Sequence, residues 1–390
     1  MLTADFDLRG AMIKKTLLKA RSGIKGGDAV FMLLVFLLAI YGTVMVISSG
    51  IEYADIRYGD RLYFAKKHIV WLALGFATMV LSSKVDIEKY KKHTPKMYAV
   101  TLVLLILVLA VGFVGNGAKR WISIGPITIQ PSEFSKLSLI MMLALYFSKN
   151  ESKIADYRSK GNIFKYGTLY PALIMLSIII PVMLQKHLSC IIILGLIGLS
   201  TIFLSGTNTK YIRYFCIVAV VAVACIALFT DYTKDRIMVW RDPEGYKLTG
   251  GWQTLQGLMA IGSGGMFGLG LGNSVLKHCY VSEPANDMVF TILCEELGFA
   301  GAVIAVFLFV LLIIRGYQIS LKTKDTYARL LGLGISTKMA IQVLLNIAVV
   351  TNTIPNTGIS LPFFSYGGSS LIMLFFEMGI MLALSRKVNI

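Results

Sequence analysis

Four groups of polar residues in this chain have types and spacings that could do chemistry. The first runs from Asn116 through Lys119, Arg120 and Trp121, then Gln130, Ser132, Glu133 and Lys136. The second is a short turn, Gln185, Lys186, His187 and Ser189. The third holds Gln253 and Gln256, then Ser263, Gly264 and Gly265, a glycine run to Gly272, and Glu283, Asn286 and Asp287, with Glu295 and Glu296 close behind. The fourth is Pro355 to Gly358, then Ser365, Tyr366, Gly367 and Gly368. Glycine lets backbone amides approach an anion and form a phosphate nest, although a simple turn has the same composition. Ser132 and Glu133 also suit a helix start, one as cap and one beside the positive dipole end. Arg120 and Trp121 suit an interface anchor equally well. Asp287, Glu295 and Glu296 flank or enter an apolar run that begins at Met288. An acid at such a depth is disfavoured unless it is paired or faces a wet cavity, which points to function.

The elements that must position these groups are membrane spans. Apolar runs lie roughly at 28–49, 68–83, 96–114, 132–148, 166–184, 188–206, 212–230, 288–314, 328–350 and 362–385. Most are long enough to cross ~30 Å of hydrocarbon as a helix. The expected fold is therefore all-α and polytopic, with about ten transmembrane helices. Basic residues alternate with the spans. They crowd the tail 1–27 and the segments around Lys84–Lys92, Lys149–Lys160, Lys210–Arg213, Arg315–Arg329 and Arg386–Lys387. That alternation places both termini in the cytoplasm and all four polar groups on the opposite face. The domain reading is a cytoplasmic tail at 1–27 and one transmembrane domain at 28–390. That domain includes a large extracytoplasmic loop at 231–287, too long and too rich in aromatics to be a plain linker.

Composition excludes other classes. Of 390 residues, 56% are hydrophobic and only 15% charged, with a mean hydropathy of +0.71. A soluble domain of this length needs more charge to cover its surface. The net charge of +17 would suggest nucleic acid in a soluble protein. Here it follows from the cytoplasmic loops, and no basic run is interleaved with aromatics as nucleic-acid binding requires. The five cysteines form no CxxC pair and no Cys/His cluster, so neither a disulfide framework nor a zinc site is expected. The first apolar run is long enough to remain as a span instead of acting as a cleaved signal.

The motifs NGAKRW…QPSE, GWQ…AIGSGG…GLGNS…EPAND…EELGF and PNTG…LPFFSYGGSS, in that order from about residue 40 to the C-terminus, resemble the SEDS family. Its members include FtsW, RodA and SpoVE, and the segment from Gly272 to Asp287 is closest in pattern to the FtsW and SpoVE type. The resemblance implies a peptidoglycan glycosyltransferase. It would join lipid II, an undecaprenyl-pyrophosphate disaccharide peptide, into glycan strands on the outer face of the cytoplasmic membrane. Division or cell-shape maintenance is the implied setting. The implied partners are a class B penicillin-binding protein and other membrane proteins of the division or elongation machinery.

The family's essential aspartate falls on Asp287, expected as general base for the acceptor hydroxyl. Arg120 and Lys136 would stabilise the pyrophosphate leaving group. Trp121, Gln130, Ser132, Glu133, Gln256, Ser263, Gly264, Gly265, Glu283, Ser365, Tyr366 and Gly367 would bind substrate. Inversion in one displacement is expected, with no dedicated cofactor. A divalent cation, Mg or Mn, could accompany the pyrophosphate, though no carboxylate cage for one is evident. Many relatives carry an aspartate at the turn where this chain has His187. The rival readings are a lipid II flippase and a non-catalytic scaffold. A flippase needs polar groups through the full membrane depth, whereas these motifs gather on one face. Two charges lie outside the family motifs, Lys338 and Glu377. Their spacing puts both at similar depth on consecutive spans, where either they pair with each other or each faces a separate wet cavity or snorkels inward.

Overall fold

The computed structural model describes residues 27–115, 118–125, 127–155, 164–207, 210, 213, 231–278, 280, 281 and 283–388. Helix α1 spans Ala29–Tyr58, α2 Tyr63–Ser83 and α3 Ile87–Val111. A small antiparallel sheet follows, β1 (Phe113–Gly115), β2 (Ala118–Ile124) and β3 (Ile127–Ile129). Then come α4 (Pro131–Ala155), a π-helical turn (Lys165–Leu169) running into α5 (Tyr170–Leu184), and α6 (Leu188–Leu204). The long loop contains α7 (Asp231–Arg241) and α8 (Gly251–Ser263). The chain ends with α9 (Val289–Leu321), α10 (Thr326–Val350) and α11 (Gly368–Arg386). The fold is an all-α membrane bundle. Among the described residues, seven helices are long and apolar enough to cross a membrane, and α6 is a shorter apolar helix. The expected span at 212–230 lies outside the described residues apart from Arg213.

Several helices outrun their apolar cores. α1 continues to Tyr58 and α9 to Leu321, because helical backbone bonds do not stop where hydrocarbon stops. Their ends are set by caps. The carboxylates of Asp28 and Asp325 accept from the amides of Phe31 and Ala328 at 2.7 and 2.8 Å, and Gly59 ends α1 at φ 66°. The last span starts later than expected, at Gly368, because Pro362 to Tyr366 form a turn in which Phe363 takes φ 66°. The sheet was not expected. Its signal was the alternation from Trp121 to Ile129 around a Gly-Pro turn.

Side-chain contacts sort the helix ends onto two faces. On one, Asp28 meets Arg315 at 2.5 Å, Lys91 meets Asp325 at 3.1 Å, and Lys387 meets Asp86 at 2.6 Å. On the other, Arg120 donates to the Lys186 carbonyl at 2.6 Å, Ser48 donates to Glu296, and Trp240 donates to the Asn352 carbonyl at 2.9 Å. Each set joins the segments that the alternation of basic loops puts together. The polar motifs all belong to the second face.

Candidate active site

Asp287 sits in the last turn before α9, half-buried. Its backbone is fixed first. Asn346 of α10 donates to the Asp287 carbonyl at 3.1 Å and to the Ile359 carbonyl at 2.6 Å. The hydroxyl of Ser365 donates to the Asn286 carbonyl at 2.8 Å, and the amide of Tyr366 to the Ala285 carbonyl at 2.8 Å. Asn346 and the SYGG motif therefore grip the turn that carries the acid. Gly358, at φ 66°, lies so close that a β-carbon there would be 2.9 Å from the Asp287 Oδ2.

The charges around Asp287 are mixed. Burial pushes its carboxyl up to about 6, and the negative charge of Glu283 adds to the rise. Arg236 and Arg120 act in the opposite sense. Glu283 is itself held at φ 54° and accepts from the Asn286 side chain at 2.6 Å. At neutral pH this carboxylate is ionised, yet more basic than a free one, as a general base requires. Arg236, on α7, was missed in the sequence. Its only signal was a cation shortly before Trp240 in a loop already crowded with charge.

A second group lies beside the first. Lys136 bonds Glu133 at 2.8 Å, one turn apart on α4, and both are buried. The positive charge of Lys136 is thus already met by a carboxylate, so Arg120 is the more available cation for an incoming anion. Ser132 is buried, Gln130 half-buried, and the half-buried Trp121 ring lies against Phe113 at 5.9 Å. His187 is buried at the start of α6. Burial and the charge of Arg120 push its imidazole down to about 3, so it stays neutral and cannot supply the negative charge of an aspartate.

The glycine-rich run does different work from the phosphate nest that its composition suggests. The amides of Gly268, Leu269 and Gly270 are spent on the carbonyls of Gly264, Glu295 and Glu296. Phe299 and Ala300 donate in return to Gly265 and Met266. Helix α9 breaks at Gly298 (φ 66°) to allow this clasp. The backbone carbonyls of Gly264 and Gly265 are thus engaged in the clasp. Ser263 caps its own helix through the Ala260 carbonyl at 3.0 Å. Gln256 is buried on α8. Glu295 and Glu296 are structural too. Glu295 accepts from Ser274 and from the amides of Val275 and Leu276, and Glu296 accepts from Ser48 and Lys277. Their depth is explained by pairing, as a buried charge requires.

This clasp makes a prediction. A β-carbon at Gly264 would lie 1.9 Å from the Cys294 carbonyl oxygen, whereas at Gly262 it would meet nothing within 4 Å. Gly264→Val should lower the melting temperature sharply, by an overpacking cost of at least ~1–3 kcal/mol. Gly262→Ala should leave it unchanged. Equal melting temperatures for the two variants would show that the clasp does not form.

Fold and site together define a polytopic membrane protein in which a buried carboxyl, Asp287, lies within reach of the charges of Arg236 and Arg120. Residues 28–390 match the FtsW/RodA/SpoVE family profile, described as a cell cycle protein. The chain belongs to this family. It is 35% identical over 361 residues to Stage V sporulation protein E of Bacillus subtilis, covering 92% of this chain and 97% of the relative. It is 33% identical to a probable peptidoglycan glycosyltransferase FtsW of Geobacter sulfurreducens, covering 93% and 96%. Among solved structures, a chain of a peptidoglycan synthase complex that coordinates polymerization and crosslinking superposes with a TM-score of 0.76 at 26% identity, covering 93% and 98%. The rod shape determining protein RodA of Thermus thermophilus superposes at 0.69, also at 26% identity, covering 93% and 98%. The chain is a membrane-embedded peptidoglycan glycosyltransferase of division or cell shape, and neither transport nor scaffolding is the favoured reading.

Proposed function

We propose that this protein polymerises lipid II on the outer face of the bacterial cytoplasmic membrane, with Asp287 as general base. The observation that carries this reading is the Asp287 carboxyl, held by backbone bonds at the mouth of α9 with its pKa raised to about 6. The acceptor sugar hydroxyl gives its proton to Asp287 as its oxygen attacks the anomeric carbon of the donor. The bond to the undecaprenyl pyrophosphate breaks on the far side, and that oxygen leaves with the electron pair. One displacement inverts the centre. Arg120 stabilises the leaving charge, and the Lys136–Glu133 pair shapes the wall beside it. Trp121, Gln130, Ser132, Gln256, Glu283, Ser365, Tyr366 and Gly367 complete the surroundings of the substrate.

Among the described residues no three His, Cys, Asp or Glu side chains gather to hold a metal. A Mg or Mn ion bound to the pyrophosphate would enter with the substrate. The partner is a class B penicillin-binding protein, which cross-links the strands. The peptidoglycan synthase complex that this chain resembles supports that reading. The test is polymerisation of purified lipid II by the purified protein in a bilayer, with and without that partner.

The electrostatics set a pH dependence. The acid limb of kcat/KM should fall near pH 6, below which Asp287 is protonated and cannot accept a proton. Glu283→Gln removes a charge that raises the Asp287 pKa, so the limb should move to lower pH. Arg236→Gln removes a charge that lowers it, so the limb should move to higher pH. Shifts in the same direction for both variants would show that Asp287 is not the titrating group.

A further inference from the structure

The outer ends of α1 and α2 carry an unusual surface that the reaction at Asp287 leaves unused. The rings of Tyr58 and Tyr63 stack at 3.9 Å and 8° across the α1–α2 turn. Tyr58 is 47% exposed. Phe64 lies edge-on to both, at 5.9 and 5.4 Å. Phe64 also meets Tyr366 at 4.8 Å, and the Tyr366 amide bonds Ala285, two residues before Asp287. A continuous line of aromatic rings thus leads from the site to the hairpin. Its rim is cationic. Lys67 sits 4.1 Å from the Tyr63 ring and bonds its hydroxyl, and Arg57 lies over Tyr53 at 5.8 Å and bonds its hydroxyl at 3.0 Å. On the side nearest the loop, His278 approaches Glu52 at 3.6 Å.

This surface stands clear of the hydrocarbon. A helix of 30 residues is ~45 Å long, against ~30 Å of hydrocarbon. The hairpin also carries Glu52, Asp55, Arg57, Asp60, Arg61, Lys66 and Lys67, which no lipid-buried segment tolerates. Exposed aromatic faces carry a negative quadrupole that attracts the partly positive C–H faces of pyranose rings. Arg57 and Lys67 suit the carboxylates of peptide stems on such a polymer. A single lipid-bound disaccharide at Asp287 is held at the membrane boundary. The ring contacts run from Tyr366, beside the Asp287 turn, through Phe64 to the Tyr58–Tyr63 stack, the course a longer strand would follow.

We propose that the Tyr58–Tyr63 stack, backed by the buried Phe64 and flanked by Tyr366, Arg57 and Lys67, is a binding surface for the growing glycan strand. It rests on the glycosyltransferase reading and adds to it a site that retains the polymer between additions. The test uses the full-length protein in nanodiscs with two readouts. One is binding of a lipid-free, uncross-linked glycan oligomer. The other is the length of strands made from lipid II, compared with the rate of the first coupling. Tyr58→Ala with Tyr63→Ala should weaken oligomer binding at least fivefold and shorten the strands, with a much smaller effect on first coupling. Tyr58→Phe with Tyr63→Phe keeps the rings and should restore both. Unchanged oligomer binding in the alanine variant overturns the proposal. So does an equal loss of first coupling and strand length, which would mark the tyrosines as headgroup anchors. If the wild type binds the oligomer but polymerises no lipid II, the polymerase reading fails while the binding surface stands.

Discussion

Asp287→Asn should abolish polymerisation, lowering the rate by ~10²–10⁴-fold, the range that a positioned general base contributes. Asparagine keeps the shape of the side chain and its packing against Gly358, so the melting temperature should hold. The backbone grip on residues 285–287 comes from Asn346, Ser365 and Tyr366 and does not involve the Asp287 side chain. The loss therefore reports chemistry and not folding. Asp287→Ala should behave alike. Gly358→Ala provides a steric counterpart, because its new methyl would stand 2.9 Å from the Asp287 Oδ2 and displace the carboxylate. It should lower activity while leaving the base titratable. Wild-type rates from Asp287→Asn in purified lipid II polymerisation would remove the carboxylate from the mechanism.

Much of this architecture was legible because the membrane enforces it. Long apolar runs and alternating basic loops have one economical solution, and the two sets of helix-end contacts are what that solution requires. The order of motifs likewise led to Asp287, Arg120, Lys136 and Glu133, though not to the ion pair that joins the last two. What the sequence hid were facts of three-dimensional meeting. Arg236 reaches the site from a loop helix with no periodic signal. The run from Gly264 to Gly270 has the composition of an anion nest, but its amides are consumed by the broken helix at Gly298, and nothing local distinguishes the two uses. Glu295 and Glu296 are conspicuous for their depth, but their partners Ser48, Ser274 and Lys277 come from elsewhere in the chain. The small sheet escaped because its strands are only three to seven residues long.

Spacing alone did foretell one buried contact, and it supports the second large effect. Lys338 lies about 18 Å from the start of α10 and Glu377 about 14 Å from the end of α11, at ~1.5 Å per residue. Lys338 Nζ bonds both carboxylate oxygens of Glu377 at 2.7 Å, and both side chains are buried. Removing one partner of such a pair strands the other in a medium that cannot solvate it, at a cost of ~3–5 kcal/mol. Replacing both with methionine leaves no stranded charge and should recover most of the loss. Thermal unfolding in one detergent, as a double-mutant cycle, reads the claim: each single variant should lower the melting temperature, and the double variant should recover most of the loss. Strictly additive losses would dissolve the pair as a unit.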